Sequence, residues 1–162
     1  MQTLVVCDSK FGNTEKVAQA IARGISQVSK VQVTATPEAT HILEALTSPP
    51  ELVLIGGPTQ NRGPSEGLRA LMKALPATLR GIPAVCFDTR YQGPVLLMGS
   101  AASAVAKALT KFGAGLAAPP ESFFIVRHGP MERQTLEPGE LERAEAWGCA
   151  IATEARSLPA HA

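Results

Sequence analysis

Hydroxyl and glycine residues follow a short apolar run at the start of the chain. The run Leu4 to Cys7 leads into the segment Ser9-Lys10-Phe11-Gly12-Asn13-Thr14, after which a helical pattern begins. A strand, a short turn and a helix N-terminus in this order form a site for phosphate. The unpaired N–H groups of the first helical turn and the helix dipole both favour an anion there. The segment therefore predicts a phosphate-binding loop that needs no lysine side chain.

The same residues have a second interpretation. The pattern Ser9-x-x-Gly12-x-Thr14 is weak on its own, and Ser9, Asn13 and Thr14 could serve only to cap free amides of the turn. The sequence contains neither G-x-x-x-x-G-K-[ST] nor G-x-G-x-x-G, which disfavours nucleoside triphosphatases and Rossmann dinucleotide enzymes. A phosphoacceptor receiver is also disfavoured, because Ile55-Gly56-Gly57 stands where that class needs an aspartate.

Apolar periodicity predicts that strands and helices alternate along the chain. This alternation implies an α/β fold, with a doubly wound parallel sheet and helices on both faces. Ligands of such sheets bind beyond the carboxyl ends of the strands, so the loops after strands one, three and four are expected to converge. The predicted strands are Gln2 to Asp8, Val31 to Thr36, Leu52 to Ile55, Pro83 to Asp88 and Phe123 to Val126, and the predicted helices are Thr14 to Ser29, Ala39 to Leu46, Ser65 to Leu75, Ala101 to Phe112 and Glu140 to Leu158.

Length and composition predict one domain over residues 1–162 that needs no disulfide or metal for its stability. The three cysteines are isolated, which argues against a disulfide framework or a zinc site. Lys and Arg number 15 against 14 Asp and Glu, with no basic block, so nucleic acid and anionic membranes are not expected as partners. Neither an export signal nor an apolar stretch of about 18 residues is present, so we expect a cytoplasmic protein.

The three converging loops resemble those of the flavodoxins and flavodoxin-like FMN proteins. The segment Ser9 to Glu15 is similar to their phosphate-binding loop, Gly56-Gly57-Pro58-Thr59 to their second flavin loop, and Asp88-Thr89-Arg90-Tyr91 to their third. The resemblance covers essentially the whole chain. The modest loop between Val126 and Glu140 resembles the short-chain type. The resemblance implies five parallel strands in the order 2-1-3-4-5 and FMN as the cofactor.

The resemblance also implies which residues contact FMN. Ser9, Thr14 and the amides of Lys10 to Asn13 would hold the phosphate, while Thr59 to Arg62 and Thr89 to Tyr91 would flank the isoalloxazine. No catalytic residue or metal ligand is expected. The full set of expected cofactor-binding residues is Ser9, Lys10, Phe11, Gly12, Asn13, Thr14, Pro58, Thr59, Gln60, Asn61, Arg62, Gly63, Asp88, Thr89, Arg90 and Tyr91.

One position bears on the redox behaviour of the flavin. In the family, a backbone carbonyl after strand three turns to accept the N5 proton of the semiquinone. The matching residue is Asn61, or Gln60 if the loop is offset by one, where many members have glycine. Asparagine tolerates positive φ better than other non-glycine residues, so this rotation is feasible but costs more than with glycine. We expect a less stabilised semiquinone.

The chain departs from the electron-carrier pattern at several positions. Gln60 stands where an aromatic residue is common, and the net charge is +1 where carriers are strongly acidic. Tyr91 remains as a candidate to stack on the flavin, with an outward orientation as the alternative. Arg62 and Arg90 are expected to rim the ring, where a cation raises the flavin potential, or else to be solvated. The run Val95 to Met98 either buries inward or forms an apolar contact for a partner.

Three functional classes stay open. The first, which we expect, is an FMN electron carrier that docks on a reductase or other redox protein. The second is an FMN-dependent oxidoreductase that acts directly on a quinone or porphyrinogen-type acceptor. Near-neutral charge favours it, but the sequence shows no substrate loop and no proton-transfer residue. The third is a flavin-free interaction module, and the hydroxyls of the phosphate loop argue against it.

Overall fold

The structure is a computed structural model that describes residues 1–45 and 48–157. Its centre is a sheet of five long parallel strands. Short strands and six α-helices complete it, with one 3-10 turn at Ala77–Leu79. The strands are β1 Gln2–Cys7, β2 Lys30–Ala35, β3 Leu52–Gln60, β4 Gly63–Pro64, β5 Pro83–Tyr91, β6 Gly115–Leu116, β7 Glu121–Val126 and β8 Thr135–Leu136. The helices are α1 Asn13–Ser26, α2 Thr36–Ala45, α3 Glu66–Lys73, α4 Val95–Met98, α5 Ala101–Phe112 and α6 Glu140–Ser157.

The sheet has the strand order β2-β1-β3-β5-β7, and these five strands are all parallel. Counted alone they are in the order 2-1-3-4-5, so the fold prediction is confirmed. At the edge, β8 pairs antiparallel with β7, while β4 folds back antiparallel on the end of β3. Strand order reverses between β1 and β3, which places a ligand site at the carboxyl ends of these strands.

The central strands are apolar on both faces because helices cover the sheet from both sides. Along β3, Val53 and Ile55 pack into one hydrophobic core with residues of α2, α3 and α5. Leu52 and Leu54 point the other way, into a second core with α1 and α6. This alternation is the period of two that a strand imposes. The helices therefore fix the sheet from both faces and leave its carboxyl edge to the loops.

Two strands run further than the sequence predicts. β3 continues to Gln60 and β5 to Tyr91, whereas the predicted strands end at Ile55 and Asp88. The extra residues pair because β4 folds back on the end of β3 and β7 lies beside the end of β5. The loop prediction for these two segments is therefore wrong, and strand geometry sends successive side chains to opposite faces.

Most helix bounds lie close to their predicted positions. α5 spans Ala101–Phe112 as predicted, and α3 begins one residue after Ser65, whose side chain caps it. Leu46 and Leu158, the predicted ends of α2 and α6, lie outside the described residues. None of the helices described is both long and apolar enough to cross a membrane.

Candidate functional site

A cavity of about 350 Å³ opens at the carboxyl edge of the sheet. Its volume falls in the range of small-molecule sites, and it lies beside the point where strand order reverses. Loops and strand ends that follow β1, β3, β5 and β7 contribute to it. The lining residues are Lys10, Phe11, Asn13, Thr14, Pro58, Thr59, Gln60, Asn61, Thr89, Tyr91, Ile125 and Gln134.

The loop between β1 and α1 presents free backbone donors at one end of this cavity. Gly12 has φ of +83°, a left-handed conformation that glycine adopts without strain, and Asn13 is the first residue of α1. Within the described residues, the backbone N–H groups of Lys10, Phe11, Asn13 and Thr14 have no hydrogen-bond acceptor. Four open amides at a helix N-terminus are suited to bind an anion.

The side chains of this loop divide between two roles. The Ser9 hydroxyl accepts hydrogen bonds from the amides of Gly12 at 3.1 Å and Glu15 at 3.3 Å, so it caps the turn as the second interpretation proposed. Thr14 does not cap the turn: its Oγ1 lies 2.7 Å from Thr89 Oγ1 in a buried hydroxyl pair. Asn13 Nδ2 donates to the Gln134 carbonyl at 3.0 Å. The loop is thereby joined to two other sides of the cavity.

The hairpin between β3 and β4 turns on two residues with positive φ. Asn61 has φ of 47° and Arg62 has φ of 66°, which is the backbone pattern of a type I′ turn. Asparagine is favoured at such positions, whereas a long side chain such as arginine is uncommon there. The sequence prediction placed the backbone rotation at Asn61, or at Gln60 if the loop is offset by one, and of these two residues Asn61 has the positive φ.

Arg62 holds this turn from outside the cavity. Its side chain is exposed, and its Nη2 donates to the carbonyl of Leu96 in α4 at 3.0 Å. Gly99, with φ of +74°, lies against the Arg62 backbone so closely that a β-carbon would overlap it. Arg62 is therefore neither a freely solvated side chain nor one of the lining residues.

Asp88 lies beneath the cavity as a fully buried carboxylate. Its Oδ2 accepts hydrogen bonds from the Thr59 hydroxyl at 3.0 Å, the Ser100 hydroxyl at 2.7 Å and the Ala102 amide at 3.0 Å. The carboxylate thus joins the end of β3 to the N-terminus of α5, where the helix dipole favours it. Asp88 Oδ1 has no hydrogen-bond partner among the described residues. Predicted as a cofactor contact, Asp88 instead positions Thr59, which lines the cavity.

Arg90 also differs from its predicted place. Its Nε donates to Ser122 Oγ at 2.9 Å, and its Nη1 donates to the carbonyls of Tyr91 at 3.1 Å and Gly93 at 2.9 Å. The side chain is 8% exposed, and its Nε lies 3.9 Å from Asp88 Oδ1. Because β5 alternates, Thr89 and Tyr91 face the cavity while Asp88 and Arg90 face away. The predicted rim position of the Arg90 guanidinium is corrected accordingly.

Two lining residues were missing from the sequence prediction. Ile125 comes from the end of β7 and Gln134 from the segment before β8. The end of the fifth strand was the signal that could have indicated Ile125, because it reaches the same edge of the sheet. Tyr91 is half-buried and lines the cavity, so it does not point outward. Among the predicted set, Ser9, Gly12, Arg62, Gly63, Asp88 and Arg90 are not lining residues.

The charge of the cavity comes from one residue. Lys10 is the only charged lining residue in the described chain, and its Nζ lies 5.5 Å from the centre of the Phe11 ring. No histidine, cysteine or carboxylate lines the cavity within residues 1–45 and 48–157. The same residues contain no group of three side chains that could hold a metal ion. The cavity can therefore bind a polar, anionic ligand, and Lys10 and Tyr91 are the titratable side chains of its described lining.

Comparison with known proteins gives a uniform picture of the fold. No protein-family model and no curated protein sequence matches the chain. Among solved structures, an archaeal flavodoxin matches 96% of this chain and 99% of its own, with a TM-score of 0.73 and 22% identity. Flavodoxin 1 from Bacillus cereus matches 98% of this chain and 100% of its own, with a TM-score of 0.74 and 20% identity.

Part of a larger protein has the same architecture. The flavodiiron protein from Giardia intestinalis matches 96% of this chain over 36% of its own length, with a TM-score of 0.75 and 17% identity. At identities this low, the similarity establishes the architecture of the chain. The protein has a flavodoxin-like fold.

Proposed function

We propose that the cavity binds FMN and that the protein carries electrons between redox partners. The observation that carries this proposal is the set of open amides of Lys10, Phe11, Asn13 and Thr14 at the N-terminus of α1, beside the cavity. A phosphate monoester is an anion of the right size for such a cluster of amides. The Lys10 ammonium adds a positive charge on the same side.

The remaining lining residues fit the rest of FMN. Thr59, Gln60, Asn61 and Gln134 offer hydrogen-bonding groups for a ribityl chain and for the polar edge of a flavin, and Tyr91 offers an aromatic ring. When bound, FMN supplies the transfer of one or two electrons, and the protein supplies its position and surroundings. Ser9 would order the phosphate loop, and Asp88 would hold Thr59 against the cofactor.

The chemistry of the lining favours a carrier over an enzyme that acts on its own substrate. Direct reduction of a quinone or porphyrinogen-type acceptor moves protons as well as electrons, and a side chain within hydrogen-bond reach normally assists such transfers. The titratable groups of the described lining are the Lys10 ammonium and the Tyr91 phenol, and no histidine, cysteine or carboxylate lies among them. The fold similarity to flavodoxins agrees with this proposal.

Titration of the flavin-free protein with FMN and with riboflavin tests the binding step. Riboflavin lacks only the phosphate, so we expect one FMN per chain and at least a 100-fold weaker affinity for riboflavin. Inorganic phosphate should compete with FMN but not with riboflavin. Equal affinities for the two flavins would overturn the phosphate assignment, and failure to bind either would overturn the cofactor.

A second measurement separates the carrier from the enzyme. The loaded protein is mixed with NADH, NADPH or a soluble quinone, each with and without a flavodoxin reductase. A carrier is reduced only through the reductase. Steady turnover of a quinone without any reductase would favour the oxidoreductase alternative.

A further inference from the structure

Helix α4 presents four consecutive apolar side chains to solvent. Val95, Leu96, Leu97 and Met98 are 47%, 86%, 64% and 36% exposed. A run of four exposed apolar residues is uncommon on a monomeric protein unless another surface covers it. We call these four residues the apolar turn. They follow β5, so the apolar turn lies next to the cavity.

Two arginines fix the apolar turn in place. Arg62 donates to the Leu96 carbonyl, and the buried Arg90 donates to the carbonyls of Tyr91 and Gly93, which lead into the turn. Gly99 closes the turn against the Arg62 backbone. The exposed leucines thus lie on a segment that is held by hydrogen bonds before it and at its middle, and by close packing of Gly99 at its end.

The chain on either side of the apolar turn is poor in negative charge. Between Asp88 and Glu121 the chain has no aspartate or glutamate, whereas it has Arg90, Lys107 and Lys111. Two exposed cations contact apolar residues here: Lys10 lies beside the exposed Phe11, and Arg62 lies beside Leu96. Phe11 and the middle of the apolar turn therefore each have a cation next to them.

We infer that the apolar turn, together with Phe11, Lys10 and Arg62, is the docking surface for an acidic redox protein. The inference rests on the proposed function, because an electron carrier must bring a second redox centre close to its own. Apolar contact supplies the affinity, and the cations attract a partner whose carboxylates surround its own redox centre. A surface of these seven residues suits a transient complex, and complexes between electron-transfer proteins usually have small interfaces.

The charge and the size of this surface argue against a second copy of the chain or a membrane as the partner that covers it. In a symmetric dimer of this chain through the same surface, Lys10 and Arg62 of both copies would approach each other, and like charges oppose such contacts. Helices that lie on a membrane surface present an apolar face over many residues, whereas α4 has four residues. An acidic protein satisfies both the apolar and the cationic groups.

Nuclear magnetic resonance on the uniformly ¹⁵N-labelled chain tests the surface directly. The acidic probe is oxidised plant-type ferredoxin, and the basic control is ferricytochrome c at the same concentration and ionic strength. We expect ferredoxin to shift or broaden the amides of Phe11, Arg62 and Val95 to Met98, and 200 mM salt to remove most of the effect. Stronger perturbation by cytochrome c, or perturbation by ferredoxin only elsewhere, would overturn the inference.

Variants separate the apolar contribution from general charge. The double substitution Leu96→Ser/Leu97→Ser should weaken ferredoxin binding at least fivefold and leave FMN affinity within twofold. Leu116→Ser is the matched control, because Leu116 is 43% exposed but lies in β6, beside the amino-terminal end of β5. Equal effects of the two variants would contradict the assigned surface.

The parent protein and the double variant also distinguish an acidic partner from a second copy of the chain and from a membrane. A dimer in sedimentation velocity that the double variant dissociates, or co-sedimentation with phosphatidylserine vesicles that it abolishes, would replace the acidic partner with a second copy or a membrane. Ferredoxin titrations are run with and without FMN. Docking without FMN binding would overturn the proposed function alone, and FMN binding without docking would overturn this inference alone.

Discussion

Gly99 packs against the backbone of Arg62, so closely that no side chain larger than hydrogen fits between them. This contact joins the end of α4 to the turn that carries Asn61, a lining residue of the cavity. The position of the turn is therefore set from outside the cavity by a residue that does not line it. A change at Gly99 should reach the cavity through the Arg62 backbone.

Replacement of Gly99 by alanine should weaken FMN binding, and Gly81→Ala provides a matched control. Gly99 and Gly81 have nearly equal φ values, +74° and +77°, but a β-carbon at Gly81 would meet no atom within 4 Å. Gly81→Ala should lose about 1 to 2 kcal/mol of stability from its positive φ, and Gly99→Ala should lose more, because its β-carbon also overlaps the Arg62 backbone. Only Gly99→Ala should also lose FMN affinity, by about tenfold (about 1.4 kcal/mol) as the turn moves.

Urea denaturation and FMN titration measure the two effects separately. If the two alanine variants bind FMN equally well, the contact between Gly99 and Arg62 does not position the turn.

Much of this architecture follows from local sequence signals, and the exceptions have a physical reason. The bounds of α5 were predictable, because capping by Ser100 and apolar periodicity are local signals. The order of the five strands was predicted from the resemblance to flavodoxins and not from local signals. The extension of β5 to Tyr91 was not predictable, because it depends on pairing with β7, about 35 residues later. The missed extension of β5 also made the prediction for Arg90 wrong, because the alternation of side chains along the strand is what shows that Arg90 points away from the cavity.

Asp88→Asn should destabilise the fold by about 2 kcal/mol, because three hydrogen bonds to a buried carboxylate oxygen would pass to a neutral amide. Thr59 would lose part of its anchor, so FMN affinity should also fall. Glu44→Gln, on the exposed face of α2, is the control and should change stability by less than about 0.5 kcal/mol. Equilibrium urea unfolding gives both values. Equal stability of Asp88→Asn and the parent protein would show that the carboxylate charge is not needed at this position.

The two arginines of the site should respond differently to the same substitution. Arg90→Gln leaves the buried Asp88 without its cation and should cost about 3 kcal/mol of stability. Arg62→Gln removes one exposed hydrogen bond and should cost less than about 1 kcal/mol. Arg62→Gln should lower the midpoint potential of bound FMN, because a cation near the cavity is lost. Thermal unfolding and a redox titration check these outcomes. A larger loss of stability in Arg62→Gln than in Arg90→Gln would reverse the assigned roles.

Two buried thiols should make stability fall at high pH. Burial raises the pKa of Cys7 to about 11, with Glu15 and Asp8 adding to the shift, and burial raises the pKa of Cys86 to about 12, from an ordinary value of 9.0. The unfolded chain therefore releases these protons at lower pH than the folded chain. The resulting stability is fully present below pH 9 and is lost as pH rises through about 11 to 12.

Unfolding free energies at pH 8, 9.5 and 10.5 test this pH dependence in Cys7→Ala, Cys86→Ala and the half-buried control Cys149→Ala. The first two variants should show a smaller decline with pH than the parent protein, and the third should follow the parent. A decline that is the same in all four proteins would assign the pH dependence to other groups.

Asn61→Gly should increase the fraction of bound flavin that accumulates in the one-electron-reduced state. Both residues of the turn have positive φ, and glycine adopts this region with the least cost, so rotation of the peptide after residue 61 becomes easier. Asn61→Asp keeps the size of the side chain and serves as the control. Spectroscopic redox titration of the two loaded variants and the parent protein measures this fraction. The Arg62 backbone remains held by Gly99 in every case, so an unchanged fraction in Asn61→Gly would mean that this contact, and not the side chain at position 61, limits the rotation.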